Sequence, residues 1–161
     1  MRLLLASILV LAFAAPCGAQ VEVPATLTAD VGSLARLTFS STTLTFPDAD
    51  PDVVPVVTAV PSDLTIVAKS RAVSGATVLL TVLATDDLRS GVDTLPASNI
   101  TWTAAGPGFV PGTLSRSIPQ TVASWSGSGV RSGTQRFAFR NLWTYPTGVY
   151  TVTLLYTLAA P

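Results

Sequence analysis

The sequence contains no histidine, and its single cysteine is Cys17, close to the start of the chain. A chain without histidine cannot form a Ser/His/Asp triad, a Cys/His nucleophile pair or a His-ligated zinc, copper or haem site. A lone cysteine has no partner for a disulfide within the chain, so stability has to come from core packing. These two shortages exclude the commonest forms of nucleophilic and metal-dependent catalysis.

Glutamate is almost as scarce, since the only one is Glu22. The other acids are aspartates in turn-like contexts, and aspartates beside Pro, Gly or Ser are more often turn and cap residues than catalytic carboxylates. Asp48, Asp50 and Asp52 alternate in "PDADPD", which makes them a weak calcium candidate, but Pro51 interrupts the cluster and the glycine and distant glutamate of an EF-hand loop are missing. We therefore predict a protein that is not an enzyme, has no cofactor, and uses this cluster as an acidic turn.

The N-terminal residues predict export. Arg2 precedes an apolar run from residue 3 to residue 15, and small residues follow it. This layout is typical of a signal peptide, and the run is shorter than the roughly 20 residues of a membrane-spanning helix. We predict a cleaved signal peptide helix at 1–19, a single domain at 20–161 without a membrane span, and a secreted protein of the periplasm or cell surface.

Charge is sparse in the predicted mature chain. Eight of the nine Lys plus Arg remain after removal of Arg2, against nine Asp plus Glu, so the formal net charge is −1. No run of basic residues marks an electrostatic footprint for an anionic polymer. We predict no nucleic-acid partner.

What the sequence does have is period-2 alternation of Val, Thr, Leu, Ile and aromatic residues between Pro, Gly, Ser and Asp. Turn signals recur about every 8–12 residues, which predicts an all-β, antiparallel β-sandwich of about eight to ten strands. Residues 64–68 and 78–82 are predicted to form a hairpin, and 121–129 is predicted to pair with 133–142. A last strand is predicted at 149–158. The residues predicted to face inward include Leu37, Phe39, Leu44 and Phe46 near the start of the domain, and Tyr150, Val152, Leu154, Tyr156 and Leu158 on one face of the last strand.

Strict alternation also marks the predicted mature N-terminus. Apolar residues occupy one face of residues 21–30 at Val21, Val23, Ala25 and Leu27. Pro24 has no N–H for a neighbouring strand and confines the segment to a sheet edge. Two interpretations stay open: the first strand of this domain, or an interaction strand that joins a protein partner or a second copy by strand addition.

The tryptophans also allow two interpretations. Trp102 and Trp125 fit a sandwich core, where one ring removes ~150–250 Å² from water. Trp143 and Tyr145 lie two residues apart and would share a face of an extended chain. Together with Trp125 they are the residues that a carbohydrate-binding surface would use to stack on sugar rings, so a glycan is the alternative partner.

The end of the chain, "PTGVYTVTLLYTL", carries Pro146, Gly148 and Tyr150. It resembles the last strand of pilin-like subunits and spore coat protein U domains. The resemblance implies an Ig-like sandwich, export, and assembly by strand complementation with the help of a chaperone, although this chain lacks the usual cysteine pair. A second similarity is to WxL-type surface domains, with "YTL" at 156–158 in place of one W-x-L and "WTA" at Trp102 in place of the other. Because neither motif is complete, we do not predict that this chain binds cell walls.

The leading functional prediction is a non-enzymatic exported structural or adhesion-type surface subunit that acts through its strand edges. The alternative is a carbohydrate-binding module that uses exposed aromatic side chains.

Overall fold

The structure, a computed structural model, describes residues 24–161. These residues form eleven antiparallel β-strands and one short 3-10 turn at Ala97–Asn99. The strands are β1 (Leu34–Phe39), β2 (Val56–Thr58), β3 (Leu64–Arg71), β4 (Thr77–Ala84), β5 (Leu88–Ser90), β6 (Asp93–Leu95), β7 (Ile100–Ala105), β8 (Gly112–Thr113), β9 (Gln120–Ser126), β10 (Gly129–Arg140) and β11 (Leu154–Ala159). Within this range no helix has the length and apolar character needed to cross a bilayer.

All eleven strands belong to a compact unit that runs from Val31 to Pro161. Residues 24–30 belong to a separate unit, carry no strand and are exposed. Val21 and Val23 of the predicted interaction strand lie outside the described residues.

The strands form two main sheets and a small hairpin. The larger sheet has the order β1-β3-β10-β7-β8, and β2 pairs with the last residues of β10 beyond the end of β3. The smaller sheet has the order β11-β4-β9, and β5 pairs with β6. The 12-residue strand β10 therefore spans the full length of the larger sheet and pairs with three neighbours.

Alternate residues of both sheets meet in a common core. Ile66 and Ala68 of β3 and Val78, Leu80 and Val82 of β4 have no solvent exposure. Their alternation with more exposed neighbours is the pattern of strands that each bury one face. The prediction of an all-β, sandwich-like antiparallel fold is confirmed, and the strand count is one above the predicted range.

Two predicted strand pairings are wrong. β3 and β4 are consecutive, yet β3 lies in the larger sheet and β4 in the smaller one, and the same separation holds for β9 and β10. In each case the chain crosses from one sheet to the other instead of turning back beside itself. Period-2 alternation marks which face is apolar, but it is the same for a hairpin and for two strands that face each other across a core.

One side of the sandwich is closed by the loop between β7 and β8. Phe109 in this loop is buried, and Val110 N donates to the carbonyl oxygen of Val122 in β9, 2.9 Å away. A Cβ at Gly133 of β10 would overlap the Phe109 ring, so glycine provides the room for that ring. The loop thus joins the edge of the larger sheet to the edge of the smaller one.

Candidate functional site

Within residues 24–161, no loop closes the opposite side of the sandwich in this way. β1 is the end strand of the larger sheet and β11 is the end strand of the smaller one. After β1 the chain has a single bridge, Thr45 to Val60, and before β11 a single bridge, Thr151 to Arg89. None of the backbone hydrogen bonds among the described residues joins 34–46 to 150–159. Two sheet edges therefore face the same gap.

The gap is an apolar groove of about 330 Å³. Its floor is core, formed by the buried side chains of Leu64, Ile100, Leu114 and Phe137. Its walls are half-buried side chains from the two edges: Phe39, Leu44 and Phe46 on one side, and Val152, Leu154 and Tyr156 on the other. We call this feature the open groove.

The inward face of the last strand is only half covered. The predicted alternation is confirmed, because Tyr150, Val152, Leu154, Tyr156 and Leu158 are each more buried than the residues between them. None of them reaches the full burial of the inward residues of β4, the neighbouring strand. Val152, Leu154 and Tyr156 are only half-buried because their side chains line the open groove.

A buried polar pair lies beside the open groove. Gln135 of β10 has no exposure, and its Oε1 accepts a hydrogen bond of 2.7 Å from the hydroxyl of Tyr156. The Nε2 of Gln135 has no hydrogen-bond partner among the described residues. A buried donor without a partner costs about 1–3 kcal/mol.

The Tyr156 ring also connects the two edges. Its centroid lies 4.9 Å from that of Phe39, in a tilted arrangement. Burial raises the pKa of Tyr156 above its usual value, so the hydroxyl remains a hydrogen-bond donor at neutral pH. The pair Phe39–Tyr156 therefore bounds the groove at one end.

The residues that carry the pilin-like resemblance form a defined turn. The hydroxyl of Tyr150 donates to the carbonyl oxygen of Pro146, 2.9 Å away. A Cβ at Gly148 would overlap the side chain of Ser90, so the turn packs closely against β5. In bonding back to the chain a few residues upstream, Tyr150 resembles the tyrosine corner of Ig-like sandwiches, although it precedes the last strand.

The described part of the predicted interaction strand is free of pairing. Ala25 is exposed, Leu27 is exposed to 94%, and residues 24–30 have no strand. Among the described residues the first strand of the sandwich is β1, and residues 24–30 form none. Donation of the segment to a partner stays a prediction.

Two of the three tryptophans belong to the core. Trp102 is 2% exposed and its Nε1 donates to the carbonyl oxygen of Val110 at 2.9 Å. Trp125 is 8% exposed and its Nε1 donates to Ser70 Oγ at 3.3 Å. The prediction of Trp125 as part of a sugar-stacking surface is wrong, because its ring packs between the sheets.

Trp143 and Tyr145 do not share a face. They lie in a turn region, where Trp143 is 68% exposed and Tyr145 is half-buried with its ring 5.8 Å from that of Phe139. The Nε1 of Trp143 donates to Asp52 Oδ1 at 3.1 Å. The pattern of alternate residues failed here because the chain is not extended, and only Trp143 presents an open ring.

The acidic cluster forms an ordered surface turn. Asp50 Oδ1 accepts from the backbone N–H of Asp52, and the side-chain amide of Asn141 donates to the carbonyl oxygens of Ala49 and Val54. No group of three acidic side chains in the described residues is placed to hold a metal ion, so the calcium candidate Asp48, Asp50 and Asp52 is not assembled as a site.

Comparison with protein-family models, with curated proteins and with solved structures finds no match to this chain. Functional inference therefore rests on the open groove. The residue that the sequence interpretation missed is Gln135, although a polar residue between Gly133 and Phe137, at an inward position of an alternating strand, is a signal that could have identified it.

Proposed function

We propose that this chain is a non-enzymatic, exported structural or adhesion-type subunit with an Ig-like fold. It associates by adding a strand at the open groove, and the added strand is residues 21–30 of a second copy. The observation that carries the proposal is the groove itself: its floor is hydrophobic core, and its walls are two sheet edges with half-exposed apolar side chains.

A strand is the occupant that fits two facing sheet edges. It hydrogen-bonds to an edge through its backbone and directs alternate side chains into the space between the sheets. Residues 21–30 offer that pattern, with Val21, Val23, Ala25 and Leu27 on one face. The exposed Leu27 side chain gains most from such burial, about 1.5–3 kcal/mol for a fully buried leucine.

The resemblance of the Tyr150–Pro146 contact to a tyrosine corner supports the Ig-like assignment. The resemblance of the C-terminal residues to pilin-like subunits and spore coat protein U domains supports assembly by strand addition. The predicted signal peptide at 1–19 supports a location in the periplasm or at the cell surface.

Deletion of residues 20–30 tests the proposal. We expect the deleted protein to remain folded and to become monomeric in analytical ultracentrifugation, while the intact mature chain self-associates. A synthetic peptide of residues 20–30 should then raise the Tm of the deleted protein by about 5–10 °C at a hundredfold excess over Kd.

Two variant peptides provide matched controls. Leu27→Asp places a charge on the apolar face and should abolish the rise in Tm, whereas Thr28→Asp changes the opposite face and should leave the rise intact. Equal behaviour of both peptides, or an intact chain that is monomeric before and after deletion, would contradict strand addition.

A second candidate function is carbohydrate binding at Trp143. Its exposed ring beside the carboxylate of Asp52 combines a stacking surface with a hydrogen-bond acceptor for hydroxyl groups. On a glycan array, Trp143→Ala should lose any binding while the exposed control Val149→Ala keeps it. An array without signal for the unaltered protein would dismiss this candidate.

A further inference from the structure

The charges of the sandwich are sorted between its two ends. Strand β10 has 12 residues and spans about 36 Å at roughly 3.3 Å per residue. At its first residues the larger sheet carries four cations, which we call the basic end: Arg36, Lys69, Arg71 and Arg131. Just past its last residue, Asn141 holds the acidic turn of Asp48, Asp50 and Asp52.

The basic end places like charges side by side. Arg36 of β1 lies directly opposite Lys69 of β3, and Arg71 lies two residues further along the same face. All three residues are exposed. Like charges directly opposite each other on neighbouring strands are destabilising, so this row has an electrostatic reason to face an anion.

Neither group is neutralised by the described residues. The ion pairs among the described residues join Arg89 and Arg116 to Asp86 and Asp87, and Arg136 to Asp63. The cations of the basic end and the carboxylates of the acidic turn form none. Arg140 lies near the acidic turn at the end of β10, so three acids and one cation leave that end formally at −2.

The direction of the chain brings these two ends together in an assembly. β1 begins at Leu34, opposite Arg71, so the chain enters the sandwich at the basic end. The open groove lies toward the other end, since it extends from Phe39 to Phe46 and the Phe46 ring contacts that of Phe139 near the end of β10. A segment that leaves the basic end of one copy and enters the groove of the next therefore brings the first copy toward the acidic turn.

We propose that the basic end of one copy docks on the acidic turn of the next, so that the strand-linked copies assemble head to tail. This inference rests on the proposed strand addition and adds a second contact to it. The interface is heterologous, because different surfaces of the two copies meet, and a heterologous contact that does not close produces a filament. The ordered acidic turn is suited to this role because its backbone is already fixed by Asn141.

A charge-swap experiment in the mature chain tests the docking. Arg36→Glu, Lys69→Glu and Arg71→Glu together change the formal charge of the basic end from +4 to −2. Asp48→Lys with Asp52→Lys changes the acidic end, Arg140 included, from −2 to +2 while keeping the structural Asp50. Each variant alone should self-associate at least about tenfold more weakly than the unaltered chain at about 0.1 M salt. An equimolar mixture of the two should recover association, and so should one chain with all five substitutions, because its two ends again carry opposite charges.

Salt provides an independent readout. Association of the unaltered chain should weaken between about 0.1 M and about 1 M salt, as the Debye length falls from about 10 Å to about 3 Å, whereas the reversed variants should change little or strengthen. Circular dichroism and thermal melts confirm that each variant is folded.

The outcomes separate the docking from strand addition. If the reversed variants associate like the original and deletion of 20–30 still abolishes association, the docking is wrong and strand addition stands. If deletion has no effect or the intact chain is monomeric, both are wrong. Loss of binding to heparin by the Arg36→Glu, Lys69→Glu, Arg71→Glu variant, with unchanged self-association, would assign the basic end to an anionic polymer and overturn the docking.

Discussion

The two long sides of the sandwich differ in how they cover the core. On the β7/β9 side, the loop with Phe109 crosses from one sheet to the other, and Trp102 is buried behind it with its Nε1 bonded to Val110. On the β1/β11 side, Phe39 and Tyr156 meet at one point and the rest of the gap is the open groove. The same core is thus covered by the loop on one side and only partly covered on the other, where we propose that a strand is added.

Glycine positions show the same difference between the closed side and the open side. On the closed side, a Cβ at Gly133 would overlap Phe109, and a Cβ at Gly112 would overlap the Trp102 ring. Glycine there lets large rings of the same chain fill the space between sheets. The open groove is lined by aromatic rings from both edges, Phe39, Phe46 and Tyr156, but these rings are only half-buried.

Truncation of one large side chain on each side should give the largest effects. Trp102→Ala leaves a cavity in the closed side and should lower the free energy of unfolding by about 3–5 kcal/mol. Phe39→Ala on the open side should cost about half as much, because Phe39 is only half-buried. Urea unfolding of both variants measures the comparison; equal losses would mean that the two sides are equally well packed.

Adding a methyl group at a glycine on the closed side should lower the free energy of unfolding by somewhat less. Gly133→Ala forces the Phe109 ring away and should destabilise the domain by about 1–3 kcal/mol. Gly32→Ala is the matched control, since a Cβ there meets open space. A neutral Gly133→Ala would show that the loop between β7 and β8 adapts without loss.

Loss of the hydrogen bond between Tyr156 and Gln135 on the open side should lower the free energy of unfolding by less again. Tyr156→Phe removes the hydroxyl that donates to Gln135 and leaves both polar atoms of that amide unpaired, at a cost of about 1–2 kcal/mol. Adding Gln135→Leu removes the unpaired amide and should restore most of this loss. A double variant less stable than Tyr156→Phe would contradict an unsatisfied amide beside the groove.

The smallest effect should be a dependence on alkaline pH. Burial raises the pKa of Tyr156 in the folded state above its unfolded value near 10. The folded state therefore holds the phenolic proton more tightly, and the resulting stability is present below that pH and lost as pH rises above it. Urea midpoints at about pH 8 and about pH 11 should fall more for the unaltered chain than for Tyr156→Phe; equal falls would contradict the burial.

Alternation predicted much of the fold because burial of one face per strand leaves a direct mark on the sequence. The inward sets of β3, β4 and β11 follow it, as do Trp102 and Trp125 in the core. Partner strands could not be predicted in the same way, since β3 and β4 present the same pattern whether they pair or face each other. The prediction that Trp143 and Tyr145 share a face was wrong because they lie in a turn, where side-chain direction does not alternate.

The open groove was only partly predictable. The apolar residues of its walls, such as Phe39 and Leu154, were identified as inward-facing from the sequence. Their incomplete burial depends on which edges face each other across the sandwich, and that is a property of topology rather than of local pattern. The role of Gln135 as a buried hydrogen-bond acceptor could not be predicted from the sequence, because it depends on Tyr156 lying against it.

The most direct test of the account is a nuclear magnetic resonance titration of the protein lacking residues 20–30 with the peptide of residues 20–30. Strand addition predicts shifts of the backbone amides at 39–46 and 150–156 on the open side, with 106–112 on the closed side unchanged. New protection from hydrogen exchange should appear along one of the two open edges. Absence of shifts at saturating peptide, or shifts confined to the closed side, would contradict the proposed role of the open groove.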